Sequence, residues 1–197
     1  VLVGGSQKAF MLPPGLSFIA LSKKAWKFYE SSNLPKFYFD LKPALKNAEN
    51  NTTPYTPAVT LIIGLAAVLR RFRAEGRDAM QKRHEKLAFA MREAMKAIGL
   101  DPYVKSVPSP ALTTIVAPPE IGSGPVIKAL ASEFGITVAN GQDQAKGVIF
   151  RVSHIGDIDV TDTITAVAAI ESVLNGLGYK FDFGAATKKA SEILSAK

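Results

Sequence analysis

The sequence contains no cysteine. This absence excludes disulfide bonds, cysteine-ligated zinc and every mechanism that needs a cysteine nucleophile. It is compatible with a reducing compartment, and we expect a cytoplasmic protein. Histidine is also scarce, with two residues, and no histidine or carboxylate cluster has the spacing of metal ligands. We therefore expect no metal site.

Long hydrophobic runs are missing as well. No stretch approaches the length of apolar sequence that spans a bilayer. The N-terminus has no basic segment ahead of an apolar one, which argues against a signal peptide. Because the chain opens on Val1 inside an apolar, strand-like run, we interpret it as a fragment or as the remainder of a longer protein.

The positive charge of the chain is mixed with negative charge. There are 24 Lys and Arg against 17 Asp and Glu, a net charge of +7. Between Arg70 and Lys96 carboxylates interrupt the basic residues, as on the solvated face of long helices. Aromatic residues do not alternate with basic ones, as they do in proteins that bind single-stranded nucleic acid. We expect no nucleic-acid partner and no membrane partner.

Length and composition support a folded core. The chain has 197 residues, 47% of them hydrophobic, enough for one large or two small domains. Helical periodicity dominates residues 59–97, and short strands alternate with helices after that point. The sequence predicts an α/β protein whose second half is a compact α/β domain that starts within or after the second long helix.

Apolar periodicity also predicts the individual elements. Two short buried strands are expected at 1–3 and 17–21, with a loop over 31–55. The other predicted strands cover 104–107, 112–117, 137–139 and 148–152. The predicted helices cover 23–29, 59–73, 125–134, 160–177 and 185–196, and a second long helix runs from beyond Gly76 to about residue 97. Asp159 and Asp162 predict a capping box for the helix at 160, and the methionines of the helix before residue 97 are predicted to lie in the core.

A lysine stands at the mouth of the first predicted turn. The segment Gly4-Gly5-Ser6-Gln7-Lys8-Ala9-Phe10 is followed by Pro13-Pro14-Gly15. A lysine amine that has lost its proton can attack a carbonyl and form a Schiff base. The alternative is a lysine that closes the turn and points to solvent, and spacing alone favours this structural role.

Two further segments carry polar chemistry. Thr52-Thr53-Pro54-Tyr55-Thr56-Pro57 precedes the long helix and is rich in turn and capping residues. Arg151 is embedded in the apolar run Val148-Ile149-Phe150-Arg151-Val152. A guanidinium offers two parallel donors to a carboxylate, and a charge that is partly buried needs a partner. That partner could be a substrate carboxylate or an internal salt bridge.

The remaining motifs have structural interpretations. Gly122-Ser123-Gly124-Pro125 lacks the lysine of a phosphate loop and is better explained as a helix N-terminus. His154 is interpreted as a structural turn residue on the strand face opposite Arg151. His84 is expected to be an exposed helix residue.

Three of these segments resemble segments of class V aminotransferases and follow one another in the same order. They are the lysine segment that begins at Gly4, the loop at 52–57 and the strand that carries Arg151. Class V aminotransferases include alanine–glyoxylate, serine–glyoxylate and serine–pyruvate aminotransferases, and the resemblance extends to proteins labelled as small subunits of a soluble hydrogenase. It covers essentially the whole chain, as the C-terminal half of a family member. It implies the α/β fold of a fold-type I transferase, with the end of the large domain at 1–80 and the small C-terminal domain at 81–197.

The resemblance implies pyridoxal 5'-phosphate as cofactor. Lys8 would be the Schiff-base lysine and general base, and Gln7 would contact the cofactor phosphate. One or more of Thr53, Tyr55 and Thr56 would reach the phosphate of the partner subunit in a homodimer with shared active sites. The loop would also cap the following helix.

The resemblance further implies transamination of alanine or serine with glyoxylate or pyruvate, with Arg151 as the carboxylate clamp. The family's pyridine-binding Asp, ring-stacking aromatic and phosphate loop lie upstream of the lysine and are absent, so we expect this chain alone to be inactive. Its partner would be the missing N-terminal half. The alternatives are a non-catalytic subunit of a hydrogenase-associated complex, or another enzyme of this fold such as a lyase.

Overall fold

The computed structural model describes residues 1–196, so the last residue of the predicted domain 81–197 lies outside the description. The chain divides into two units, Val1–Ala74 and a second that begins at Glu75. Within residues 1–196 no helix is long and apolar enough to cross a membrane.

The first unit begins with an antiparallel pair of strands, β1 (Leu2–Gly5) and β2 (Ser17–Ala20). Leu2 lies opposite Ala20, and Gly5 lies opposite Ser17. Both strands were predicted, but the prediction that they are buried is wrong for this chain, in which Leu2 is 68% exposed. A sheet of two strands cannot cover its own faces.

Three helices follow: α1 (Lys23–Ser31), α2 (Leu41–Glu49) and α3 (Val59–Glu75). The prediction of a loop over 31–55 is wrong, because α2 lies within it. Asp40 explains this helix, since its carboxylate accepts from the Lys42 amide at 3.2 Å and from the Tyr29 hydroxyl. Pro43 is tolerated because it falls in the first turn, where its missing N–H is not needed.

Very little of the first unit is buried. Helix α3 ends before Gly76, as predicted, where the backbone has φ of 83°. None of its 17 residues is buried, and Ser6 is the only buried residue among residues 1–74. Large side chains are exposed, such as Phe39 at 88%. The first unit therefore leaves most of its apolar surface uncovered.

The second unit is built on a three-stranded antiparallel sheet. Its strands are β3 (Leu112–Val116), β4 (Ala139–Asn140) and β5 (Ile149–Ser153), in the order β3-β5-β4. Arg151 lies in the central strand, opposite Thr114 on one side and Ala139 on the other.

Four helices complete the second unit: α4 (Arg77–Ala97), α5 (Ser123–Phe134), α6 (Val160–Gly176) and α7 (Ala185–Ser195). Met91 and Met95 of α4 are fully buried in the hydrophobic core, as predicted, whereas Met80, which was also predicted there, is only half-buried. The capping box between Asp159 and Asp162 is present at the start of α6. The amphipathic helices thus enclose one core against the sheet.

Helix α7 is capped by a buried carboxylate from α6. Glu171 is only 2% exposed. Its oxygens accept from the backbone amides of Gly184, Ala186 and Thr187 at 3.1, 2.9 and 3.1 Å, and also from the Thr187 hydroxyl. These amides belong to the start of α7, where helical N–H groups have no partner in the helix itself.

Two predictions for the second unit are wrong. Residues 104–107 form no strand: Pro102 pairs with Ile115 in an isolated bridge, and Val107 is 89% exposed. His84 is not an exposed helix residue, because it is half-buried and its Nε2 is fully buried.

Candidate active site

The lysine loop, residues 6–16, is held together by Ser6. The Ser6 hydroxyl donates to the Pro13 carbonyl at 2.7 Å and accepts from the Leu16 amide at 3.2 Å. The Ser6 backbone adds two bonds, to the Leu16 carbonyl and from the Leu12 amide, both at 3.1 Å. A small residue with a hydroxyl is needed at this crossing point, because four hydrogen bonds meet at a fully buried position.

The lysine loop packs on α3. The Phe10 ring lies 5.7 Å from the Phe72 ring. Leu12 approaches Gly64 so closely that a Cβ at this glycine would lie 2.9 Å from the Leu12 Cδ2. Gly64 therefore allows the loop to sit directly on the helix, and the loop gains a rigid support.

Lys8 and Gln7 both lie on the exposed side of this loop. The Lys8 carbonyl accepts from the Met11 amide at 2.9 Å, so the backbone at Lys8 is fixed by a tight turn. The Gln7 side chain folds back over Gly5, where a Cβ would lie 2.7 Å from Gln7 Oε1. The site thus presents an amine and a carboxamide from a braced backbone.

The predicted hydroxyl loop directly precedes the N-terminus of α3. Thr53, Tyr55 and Thr56 are all exposed. The Thr53 hydroxyl donates to the Tyr55 carbonyl at 2.6 Å, and the Tyr55 ring stacks on Tyr38 with centroids 4.4 Å apart. Backbone amides and the helix dipole make a helix N-terminus favourable for anions. The loop therefore combines hydroxyl groups with a position suited to a phosphate.

Arg151 belongs to the second unit and is half-buried on β5. Its Nε donates to the Asn140 backbone carbonyl at 2.7 Å. Among residues 1–196 no carboxylate pairs with Arg151, so the internal salt bridge is not found there. Its two terminal nitrogens have no protein partner within the same residues and are not buried. The guanidinium fork is thus fixed at one edge and open at the other, which suits a carboxylate ligand.

The chain beyond Arg151 is anchored to α4. Arg83 donates from Nη1 to the carbonyls of Ile158 at 2.6 Å and Gly156 at 3.2 Å. The same guanidinium pairs with Glu75, with Nε to Oε1 at 2.6 Å. The pKa of Arg83 is raised, mainly by this hydrogen bond to Glu75. The loop that ends β5 is therefore tied by charge-assisted bonds.

His154 is a buried, neutral residue at the end of β5. It is 1% exposed and shares a hydrogen bond of 2.8 Å with the Thr113 hydroxyl. Burial lowers its pKa to about 4, with smaller contributions from the nearby charges of Arg92 and His84. Burial also lowers the pKa of His84. These features support the structural role predicted for His154.

Sequence reasoning missed one residue of this site. Asn140 contacts Arg151 through its carbonyl, yet the predicted strand ends at residue 139. The Asn140-Gly141 pair is a turn signal, and nothing in its pattern indicates a contact eleven residues further along.

The structure places the predicted site residues in two groups, with Gln7, Lys8 and the hydroxyl loop in the first unit and Arg151 in the second. In the described part of the chain no group of three or more His, Cys, Asp or Glu could hold a metal ion.

Comparison with known proteins gives the family context. No protein-family model matches the chain. A relative from Synechococcus sp. (strain PCC 6716), named "Soluble hydrogenase, small subunit", is 44% identical over 99% of this chain and 51% of its own length. A serine–glyoxylate aminotransferase from Methylorubrum extorquens is 33% identical over 98% of this chain and 50% of its own length. The chain therefore spans about half the length of the curated relatives it matches.

Solved structures agree with these relatives. Pyridoxamine–pyruvate aminotransferase from Mesorhizobium loti superposes with a TM-score of 0.85 at 27% identity, over 92% of this chain and 48% of that enzyme. Ureidoglycine–glyoxylate aminotransferase from Bacillus subtilis superposes with a TM-score of 0.87 at 25% identity, over 98% of this chain and 51% of that enzyme. The fold is that of the C-terminal half of a fold-type I pyridoxal-phosphate aminotransferase. Within that fold, the relatives and structural neighbours of this chain are class V aminotransferases.

Proposed function

We propose that this chain is the C-terminal half of a pyridoxal-phosphate-dependent aminotransferase that acts on a small amino acid and a 2-oxo acid. Alanine or serine is the proposed donor, and glyoxylate or pyruvate the proposed acceptor. The observation that carries this proposal is the amine of Lys8, presented by a loop that Ser6 locks with four hydrogen bonds. The names of the relatives support the reaction type.

The residues of the first unit fit the cofactor by their chemistry. Lys8 supplies a primary amine that can hold an aldehyde covalently. Gln7 and the hydroxyls of Tyr55 and Thr56 are neutral donors that suit a phosphate, and Thr53 would join them by giving up its bond to the Tyr55 carbonyl. The three hydroxyl residues precede a helix N-terminus. Pyridoxal phosphate, when bound, supplies the electron sink that weakens the bonds at the amino acid Cα.

The protein's own contribution is proton transfer and orientation. Lys8 Nζ accepts the proton from the substrate Cα and later returns one as a general acid. Arg151 binds the substrate carboxylate through its two terminal nitrogens and so fixes the orientation of each substrate. Since both substrates of a transamination carry a carboxylate, one guanidinium serves both half-reactions.

The proposal includes an N-terminal half and a second subunit. Lys8 is exposed in this chain, and a lysine amine becomes a good base when its surroundings exclude water. The exposed apolar side chains of the first unit, such as Phe37 and Phe39, offer surface for such a cover. We expect the isolated 197 residues to be inactive, and a measurable transamination rate from them alone would contradict this expectation.

Borohydride trapping tests the role of Lys8 directly. The full-length gene product is incubated with pyridoxal phosphate, reduced with borohydride and digested for peptide mass spectrometry. We expect a pyridoxyl group on the Lys8 peptide, and no label there in Lys8→Ala. Lys23→Ala is a matched control, because Lys23 is also exposed and belongs to the same unit. Equal labelling at another lysine in the Lys8→Ala protein would overturn the assignment.

A second candidate function is a non-catalytic subunit of a hydrogenase complex, which is favoured by the name of the relative from Synechococcus sp.. Complementation of a gene deletion distinguishes the two functions. If Lys8→Ala restores hydrogenase activity to a deletion strain as well as the wild-type gene does, the protein acts as a subunit and not through its lysine. If transaminase activity is lost in the deletion strain and Lys8→Ala does not restore it, the catalytic function holds.

A further inference from the structure

Asn140 joins the strand that carries Arg151 to the start of α5. We propose that Asn140 is a positioning residue that holds the Arg151 guanidinium in the orientation that binds a carboxylate. This inference rests on the proposed function, since it assumes that Arg151 binds the substrate carboxylate. It adds Asn140 and its neighbour Ser123 as the residues that set the affinity of Arg151 for the carboxylate.

The backbone of Asn140 makes the direct contact. Its carbonyl accepts from Arg151 Nε at 2.7 Å, while the strand register places Asn140 opposite Phe150. A planar guanidinium with its Nε bonded can no longer rotate freely about its long axis. The two terminal nitrogens then point as a fork in one fixed direction, which a bidentate carboxylate contact requires.

The side chain of Asn140 holds that carbonyl in place. Its Oδ1 accepts three hydrogen bonds: from the Gly141 amide at 2.8 Å, the Ser123 hydroxyl at 2.9 Å and the Gly147 amide at 3.1 Å. Ser123 is completely buried and is the first residue of α5. Gly147 lies two residues before β5. One oxygen therefore ties the turn after β4 to the start of α5 and to the segment before β5.

These side-chain bonds matter because β4 is very short. It has two residues, so pairing with β5 alone fixes its position weakly. Asn140→Ala keeps the strand backbone but leaves the Ser123 hydroxyl and the Gly147 amide without this acceptor, while the Gly141 amide keeps its bond to the Ile149 carbonyl at 3.0 Å. We expect the Asn140 carbonyl to shift and Arg151 to sample several orientations. The affinity for a carboxylate should then fall about tenfold, as for loss of one well-placed hydrogen bond to a charged group.

Chemical modification of Arg151 measures carboxylate binding without requiring turnover. The full-length protein is treated with phenylglyoxal at increasing concentrations of pyruvate, and modification of Arg151 is quantified by peptide mass spectrometry. We expect pyruvate to protect Arg151 in the wild type. In Asn140→Ala the pyruvate concentration for half-protection should rise about tenfold, and in Ser123→Ala, which removes one of the three donors, about threefold.

Two further variants and steady-state kinetics distinguish a positioning role of Asn140 from a loss of folded protein. Asn140→Asp keeps an acceptor oxygen at the same place and should lie between wild type and Asn140→Ala. Asn175→Ala changes an exposed asparagine near the end of α6 and should match the wild type. In steady-state kinetics, Asn140→Ala should raise the KM for amino acid and 2-oxo acid with little change in kcat. A merely structural role would lower kcat and leave KM unchanged.

The outcomes distinguish this inference from the proposed function. If pyruvate fails to protect Arg151 in the wild type, the proposed role of Arg151 is wrong and the inference falls with it. If pyruvate protects the wild type, Asn140→Ala and Ser123→Ala at the same concentration, the role of Arg151 stands and the positioning role of Asn140 is wrong. If Asn140→Ala does not fold, the result for Ser123→Ala decides.

Discussion

The Thr113 hydroxyl and His154 Nε2 lie 2.8 Å apart in the core of the second unit. The hydrogen bond holds an imidazole that is 1% exposed and has a pKa of about 4, mainly because burial disfavours its charged form. Arg92 and His84 act in the same direction, since a proton on His154 would face two further basic groups. The end of β5 is therefore stable only while His154 is neutral.

The stability of the protein should fall in mild acid because of His154. Its folded-state pKa lies below its ordinary value of 6.5, so between pH 6.5 and about 4 the unfolded chain binds a proton that the folded chain does not. The contribution of neutral His154 to the free energy of unfolding is therefore fully present above pH 6.5. It is lost as the pH falls through this window, by about 3 kcal/mol in total. Urea unfolding at pH 5 and 7.5 measures the change.

The variant His154→Gln assigns the effect to this residue. Glutamine can still bond the Thr113 hydroxyl but does not titrate, so it should lose less stability than the wild type between the two pH values. His84 has a lowered pKa as well and leaves a residual dependence of the same sign. The same slope in wild type and His154→Gln would show that another group causes the acid sensitivity.

Arg92 should be replaceable without loss of stability. Its Nη1 is buried and has no hydrogen-bond partner among residues 1–196, and burial lowers the pKa of its guanidinium. A buried donor without a hydrogen-bond partner costs free energy, so Arg92→Met should be neutral or stabilising by about 1 kcal/mol. It should also weaken the pH dependence of His154, since Arg92 lowers the pKa of that histidine.

Urea unfolding of Arg92→Met, His154→Gln and the double variant tests this coupling. Arg92→Met should weaken the pH dependence of stability in the wild type. It should have no such effect in His154→Gln, which lacks the histidine whose pKa Arg92 lowers. A large loss of stability in Arg92→Met would contradict the prediction, because it would mean that Arg92 has an anionic partner.

The sequence predicted well those elements whose signals are local. Asp159 and Asp162 mark the start of α6 by side-chain bonds within four residues, and Gly76 marks the end of α3 by its positive φ. Helix α2 was missed because Asp40 caps a weakly apolar segment whose support comes partly from Tyr29, eleven residues away. At 104–107 the sequence predicted a strand that does not form, because these apolar residues pair with no other strand.

The candidate site shows the same division. Lys8 and Arg151 stand in recognisable local patterns, whereas Asn140 acts through a backbone carbonyl that any residue would carry. Its importance depends on donors from Ser123 and Gly147, which lie in other segments and which sequence spacing cannot bring together with Asn140. The buried role of Ser123 was hidden for the same reason, although the start of a helix at this point was anticipated.

Glu171 should be among the most sensitive positions of the second unit. Glu171→Ala removes the acceptor of the Gly184, Ala186 and Thr187 amides, and each buried donor left unsatisfied costs about 1–3 kcal/mol. We expect a loss of about 3 kcal/mol in the free energy of unfolding. This is the low end of the sum over three donors, because water can reach part of the opened helix end. Glu133→Ala on the exposed face of α5 is the matched control. Equal midpoints for the two variants in urea unfolding would show that Glu171 does not support α7.

Two glycines of the second unit should respond to alanine with opposite signs. A Cβ at Gly141 would overlap the Ala145 carbonyl oxygen, a backbone atom that cannot move without displacing the short 3-10 helix Asp143–Ala145. Gly141→Ala should therefore destabilise the protein by about 3 kcal/mol. It should also disturb Arg151, since the Gly141 amide bonds Asn140 Oδ1. A Cβ at Gly176, the last residue of α6, would meet nothing within 4 Å.

Gly176→Ala should stabilise the protein by about 0.5–1 kcal/mol, because alanine loses less backbone entropy on folding. Urea unfolding of both variants measures the difference in sign. Phenylglyoxal modification then separates the local effect from the global one, since Gly141→Ala should change the reactivity of Arg151 under conditions where the protein is still folded. A Gly141→Ala protein with wild-type stability and wild-type Arg151 reactivity would show that the turn after β4 adapts freely, and that the close approach of Gly141 to Ala145 does not fix the position of Asn140.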